Sequence, residues 1–162
     1  MYKKFDKKAK RENESPYREE ILNVRRVSTK RAGGSKFHYS VLCAVGDENG
    51  KLGLALAKSV ENVKAIAKAK LKAKQNIINV NLTKEGSIPH ELVIKDGASK
   101  MLLRPAPLGS GLIAGGSVRT ILEVAGVKNI SAKVIGTNNQ VMNAYALFKG
   151  LQSLNKVKKQ DK

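Results

Sequence analysis

The sequence predicts an α+β protein in two parts, and three observations carry that reading. Across Ile21 to Ala57, branched and apolar residues alternate with polar ones and are interrupted at Gly33-Gly34 and Asn49-Gly50, as in antiparallel strands joined by turns. Val60 to Ile78 then runs rich in Ala, Lys and Leu without Gly or Pro, the composition of one long helix. After the polar segment Thr83-Lys84-Glu85-Gly86-Ser87 the pattern restarts with short strand-like runs and two helical stretches, which places a domain boundary there.

From Met1 to Glu20 charges of both signs alternate with few apolar residues, and this reads as a mobile arm. The first part, residues 21–83, opens with a half-exposed strand at Ile21 to Val27. A glycine turn follows, and Phe37 to Val45 alternates before becoming wholly apolar, as a strand does that starts at an edge and ends buried. Asp47-Glu48-Asn49-Gly50 is a tight-turn sequence, and Lys51 to Ala57 returns as the third strand. Ser59 is a suitable N-cap for the helix, with Glu61 favoured at its positive end. At 100° per residue, Val63, Ile66, Ala69, Ala73 and Ile77 share a face, with Lys64, Lys68 and Lys72 opposite. Lys70 and Lys74 intrude near the apolar side and must snorkel or mark a shorter contact.

The second part, residues 84–154, begins with strands at Glu91 to Ile94 and Lys100 to Leu103, joined through Asp96-Gly97. Pro105 and Pro107 end the second of these. A glycine-rich segment from Leu108 to Ser117 leads into a helix over Val118 to Ala125, for which Gly126 suits the C′ position. Ile130 to Ile135 reads as a strand and Val141 to Leu154 as a last helix. The tail over residues 155–162 is basic.

A net charge of +18, from 31 Lys and Arg against 13 acids, would repel itself in a compact chain unless counter-charge is present. A nucleic acid backbone or an acidic membrane surface would supply it. No apolar run approaches the roughly 20 residues of a spanning helix, so no membrane insertion is expected. The first residues hold no apolar stretch long enough for a secretory signal. A single cysteine, Cys43 within Val41-Leu42-Cys43-Ala44-Val45, excludes an internal disulfide and reads as a buried thiol in a cytoplasmic protein.

The cations are not spread evenly. Ile21 to Gly46 contains no Asp or Glu, yet holds Arg25, Arg26, Lys30, Arg31 and Lys36, and its middle, Ser28 to Lys36, reads as a flexible basic loop around Gly33 and Gly34. Lys64, Lys68 and Lys72 could extend the basic surface or could be a plain solvated helix face. With aromatics at 4% and no Trp, base stacking is poorly served, whereas backbone and shape recognition of folded RNA needs only cations on a rigid frame.

Catalytic constellations are thin. His38 and His90 have no ligand set beside them, and Glu123 is most simply the i, i+4 partner of Arg119. Gly109-Ser110-Gly111-Leu112-Ile113-Ala114 satisfies G-x-G-x-x-A and lies before a helix, so a nucleotide- or phosphate-binding protein using Gly109 to Gly116 is the alternative function. Prolines separate that motif from the preceding strand, and the acid that should follow about 20 residues later is missing. Neither a cofactor nor a metal is called for.

Several stretches together resemble the ribosomal protein S5 family of the bacterial small subunit. They are Val24-Arg25-Arg26-Val27-Ser28 with Gly33-Gly34-x-x-Phe37, then Val45-Gly46-Asp47-x-Asn49-Gly50-x-x-Gly53, and Lys68-Ala69-x-x-x-Ala73-x-x-Asn76. The densest part is Pro105-Ala106-x-x-Gly109-Ser110-Gly111-Leu112-Ile113-Ala114-Gly115-Gly116-x-Val118-Arg119, followed by Leu122-Glu123-x-Ala125-Gly126 and Gly136-Thr137-x-Asn139. The resemblance spans Ile21 to Leu154. It departs from the family's Gly-x-Gly-x-Gly-Lys at Gly53-Leu54-Ala55-Leu56-Ala57-Lys58, where Lys58 is kept but Ala55 and Ala57 replace glycines.

The resemblance implies a double-stranded-RNA-binding-like domain of three strands and one long helix, followed by an α+β domain of the S5 C-terminal type. It implies a structural, non-enzymatic component of the small ribosomal subunit that binds small-subunit rRNA, aids assembly and supports decoding accuracy. The implied neighbours are ribosomal proteins four and eight; no homo-oligomer is expected. The basic loop, with Lys58 and the lysine row as further candidates, would meet RNA near the subunit neck. The region of Arg104, Gly111 and Arg119 would serve the interface to protein four and fidelity.

Overall fold

The computed structural model describes residues 16–157. Two four-stranded sheets and three helices make up the described residues. The first sheet has the order β1-β2-β3-β4, from β1 (Arg18–Arg31), β2 (Gly34–Gly46), β3 (Lys51–Ser59) and β4 (Ile77–Asn79), all antiparallel. Helix α1 (Asn62–Gln75) connects β3 to β4. The second sheet has the order β5-β6-β8-β7, from β5 (Leu92–Asp96), β6 (Ser99–Pro105), β7 (Leu112–Ile113) and β8 (Ile130–Val134), with α2 (Gly116–Ala125) before β8 and α3 (Gln140–Val157) after it. Among the described strands, β7·β8 is the parallel pair.

Period-two alternation gives the first sheet two apolar faces. Val41, Cys43, Val45, Ala55 and Ala57 lie under α1 and pack on Ala65, Ala69 and Ala73. Leu42, Ala44, Leu52 and Leu54 face the other way and share one core with Met101, Leu103, Ile121, Leu122, Ile130 and Leu147 of the second part. The layers therefore run α1, first sheet, second-part helices, second sheet. Small residues set the α1 spacing: a Cβ on Gly53 would stand 2.2 Å from the Ala73 carbonyl oxygen.

The two parts also join through backbone. The Glu48 and Gly50 N–H groups donate to the carbonyls of Val124 and Ala125 at 3.2 and 2.9 Å, so the β2–β3 turn satisfies the carbonyls that the end of α2 leaves open. Gly126 ends α2 in the left-handed region at φ +85°, as its sequence position predicts.

Several expectations need correction. The arm expected over Met1–Glu20 lies outside the described residues as far as 15, but Arg18, Glu19 and Glu20 already belong to β1. Glu19 explains this: its carboxylate bonds Lys70 at 2.8 Å and Lys74 at 2.7 Å, which ties the strand to α1 and accounts for both intruding lysines. Ser59 is the last residue of β3, not the N-cap; α1 starts after Glu61, with no side-chain cap bond, and stops at Gln75, so that Ile77 and Ile78 enter a fourth strand. Val63 is 77% exposed, because the buried stripe is Ala65, Ala69 and Ala73. Lys64, Lys68 and Lys72 each precede one of these alanines by one residue, so they flank the buried stripe and do not oppose it.

The β2–β3 connection is the expected turn, Asp47 to Gly50, with β3 starting at Lys51. The Asp47 carboxylate accepts the N–H groups of Asn49 and Lys51, both at 2.9 Å, and this side-chain turn holds the loop. The basic tail shortens too: α3 continues to Val157, and residues 158–162 lie outside the described part.

Candidate nucleic-acid interface

Strand β3 pairs with β2 no further than Tyr39, whereas β1 and β2 stay paired out to Arg31 and Gly34. The last five residue pairs thus leave the sheet as a two-stranded ribbon, roughly 17 Å long at 3.3 Å per residue. The expected flexible loop Ser28 to Lys36 is therefore mostly strand. Only Ala32 and Gly33 form the turn, and Gly34 sits at φ +132°, a backbone region that side chains disfavour.

Register decides where the cations point, since directly paired residues share a face and neighbours along a strand alternate. Arg26 pairs with Tyr39, Ser28 with Phe37 and Lys30 with Ser35, which puts Arg26 and Lys30 on the α1 face. The Arg26 guanidinium lies 3.9 Å from the centre of the Phe37 ring on that face. Arg25 pairs with Ser40, and Ser40 with Lys58, giving a basic row across three strands on the opposite face. Lys36 and Arg31 follow on the same side. Both faces are therefore cationic, and every residue from Val24 to Phe37 is exposed. No acid lies on β1 after Glu20 or anywhere on β2.

Of the sequence-predicted RNA residues, the structure brings together Ser28, Lys30, Arg31, Gly33, Gly34 and Lys36 on the ribbon, with Arg25, Arg26 and Lys58 at its root. The lysine row stands apart on α1. It is exposed throughout, and Lys64 is paired with Glu61 at 3.1 Å.

In the second part, Arg104 pairs with Ser131 and Ser131 with Ile113, so Arg104 and the end of the glycine-rich segment lie at one end of the sheet. Arg104 bonds Glu91 at 3.2 Å. Arg119 lies on α2 and bonds Glu123 at 3.0 Å, as its spacing predicts.

The glycine-rich segment is not a strand-to-helix phosphate turn. Its G-x-G-x-x-A run contains a strand of its own, β7, and its amides are already engaged: Gly109 and Gly111 both donate to the Asn129 side-chain oxygen at 3.2 Å. The adjoining cleft of about 440 Å³, between the start of α2, β8 and α3, is lined by Gly115, Gly116, Ser117 and Lys133 among others, with no acid, histidine or cysteine in its lining. It offers no base and no activated nucleophile.

Cys43 is fully buried, and that burial pushes its thiol up to about 11, which suits packing and not reaction. Among the described residues no group of His, Cys, Asp and Glu could hold a metal, and no helix is long and apolar enough to cross a membrane. Sequence reasoning missed two residues that shape these surfaces, Glu19 and Asn129. Glu19 is hidden in a mixed-charge run. The one available signal for Asn129 is a polar residue between a helix stop and an apolar strand.

Together these features define a class: a basic α+β scaffold whose cations ride on a projecting β-ribbon and whose second surface is a glycine-rich loop held by hydrogen bonds. Residues 17–81 match the family described as ribosomal protein S5, N-terminal domain, and residues 94–162 match ribosomal protein S5, C-terminal domain. A protein of Trieres chinensis named small ribosomal subunit protein uS5c is 44% identical over 142 residues, covering 88% of this chain and 77% of the relative. Its counterpart in Rhodomonas salina is 42% identical over 144 residues, covering 89% and 86%. The small ribosomal subunit protein uS5 of Acaryochloris marina is 40% identical over 144 residues, covering 89% and 81%. The chain belongs to the ribosomal protein S5 family.

Proposed function

We propose that the chain is a structural, non-catalytic constituent of the small ribosomal subunit that binds small-subunit rRNA. The observation that carries this is the ribbon, on which the acid-free ends of two strands present cations from both faces beyond the rest of the sheet. Phosphate groups of folded RNA are the matching partner, because such recognition rests on placed charge and shape more than on stacking. In this reading residues 21–83 are the RNA-binding unit, with Arg25, Arg26, Lys30, Arg31, Lys36 and Lys58 as its main contacts and the Lys64, Lys68 and Lys72 row as an auxiliary one. Residues 84–154 are the protein-contact unit. The neighbours we infer are ribosomal proteins four and eight, with Arg104, Gly111 and Arg119 in the surface that meets protein four and bears on decoding accuracy.

The test is the salt dependence of binding to small-subunit rRNA. With Arg25, Arg26, Lys30 and Arg31 all changed to Gln, the log–log slope should flatten by about 3 to 4, near 0.9 per lost phosphate contact. An unchanged slope takes the ribbon out of the interface.

A further inference from the structure

We propose that Asn129 is the positioning residue of the glycine-rich loop, and that its side chain, more than the glycines' own flexibility, presets the loop surface for a protein partner. This rests on reading the loop as a protein-contact surface. Asn129 is 5% exposed and lies just before β8. Its Oδ1 accepts the N–H groups of both Gly109 and Gly111, and its Nδ2 donates to the Glu85 carbonyl at 2.8 Å. One carboxamide thus bonds three backbone groups from two segments.

Backbone pairing reinforces the same knot. The N–H groups of Lys128 and Asn129 donate to the Gly86 carbonyl at 2.8 and 3.2 Å, and Ile130 N–H donates to the Gly111 carbonyl at 3.2 Å. Gly109 and Gly111 hold φ +89° and +73°, with open space where a Cβ would go, so no packing forces those conformations. Without Asn129 the two glycines could explore both signs of φ. With it, Leu108 at 74% and Ile113 at 59% exposure are held at the two ends of one short surface. Preset geometry of this kind lowers the ordering cost of a contact.

Only a carboxamide does all of this. Asp could accept both amides but has no donor for the Glu85 carbonyl when ionised; Ala has neither function.

The test uses the full chain. Amide exchange should be read by NMR in wild type, Asn129→Ala and Asn129→Asp. Incorporation should be read by competing each variant against wild type during reconstitution of small subunits from rRNA and the other subunit proteins. In Asn129→Ala the Gly109 and Gly111 amides should exchange at least tenfold faster while Met101 and Leu103 keep wild-type rates, and incorporation should fall severalfold. Asn129→Asp, of the same shape, keeps the acceptor for both glycine amides but loses the Glu85 bond, so those amides should exchange more slowly than in the Ala variant and faster than in wild type.

Unchanged glycine exchange in Asn129→Ala overturns the assignment. So does faster exchange with full incorporation. Gly111→Arg separates the underlying reading: if that bulky variant also incorporates normally, the loop is not a protein contact, whatever Asn129 does.

Discussion

The junction between the β2–β3 turn and the end of α2 makes a sharp quantitative prediction through Gly126→Ala. Two costs combine. An alanine at φ +85° carries the left-handed penalty of roughly 1–2 kcal/mol. Its Cβ would also lie 1.9 Å from the Glu48 carbonyl oxygen and 2.3 Å from the carbonyl carbon, both backbone atoms that no rotamer change can move. The turn must retreat by more than an ångström to restore ordinary contact, and the Glu48 and Gly50 bonds to the α2 carbonyls would be lost at roughly 1 kcal/mol each. The total is about 3–4 kcal/mol.

Gly111→Ala is the control, since its φ of +73° carries the strain without any atom within 4 Å of the new Cβ. Roughly 1–2 kcal/mol is expected there. Urea unfolding at one fixed salt concentration should separate the variants by about 2 kcal/mol, or about 4–8 °C in Tm for a chain of this size. Equal losses in the two variants would show that the close approach of the two parts does not stabilise the fold.

Three further outcomes follow from single contacts. Burial would raise the Glu19 carboxyl, but the hydrogen bonds from Lys70 and Lys74 outweigh it and hold the group below its ordinary range. Its stabilisation is therefore complete above about pH 4.5 and is lost as pH falls through the folded value. Glu19→Gln should cost about 1 kcal/mol at pH 7, modest because both lysines still reach water, and should flatten the acid limb of the stability–pH curve measured by denaturation. Ala55→Gly and Ala57→Gly, which restore the family's glycines, should each destabilise by about 1–2 kcal/mol through lost methyl burial and added chain entropy. Both methyls face α1 and not the cations, so any loss of rRNA affinity should track the lost stability; weakened binding at unchanged stability would contradict that placement. Cys43 should resist thiol reagents at pH 8 in the native state and react at once in denaturant, and rapid native labelling would refute its burial.

What the sequence disclosed depended on how many residues shared a signal. The end of α2 was legible because apolar periodicity, a glycine stop and a closing Arg119–Glu123 pair agree. The meander was legible because Phe37 to Val45 and Lys51 to Ala57 are long enough to show alternation. Strands β4 and β7 were not, since two or three residues carry no period and owe their pairing to neighbours in space. The start of β1 was hidden for a different reason: Arg18, Glu19 and Glu20 look like solvated charge, and only α1 supplies the two lysines that make Glu19 structural. For the candidate site, the identity of the cations was plain from the missing acids, but their division between two faces is a matter of register. A shift of one residue would have exchanged Arg25 with Arg26 across the sheet at the ribbon's root.

That register bears on how strongly the ribbon can bind. Nine residues held as a flexible loop would each surrender roughly 1–2 kcal/mol of backbone entropy on ordering against RNA. Paired as β1 and β2, all but Ala32 and Gly33 have met most of that cost in folding. An isolated two-stranded ribbon is marginal in water, so the pairing needs a root. Here β2 continues into a sheet whose two faces are both buried, one under α1 and one against the second part, and Arg26 stacked on Phe37 adds a contact beyond that root. The layered core is thus what turns acid-free, glycine-containing sequence into placed charge. It follows that core variants which loosen the first sheet should weaken rRNA binding even though they touch no phosphate, whereas variants confined to the Asn129 knot should not.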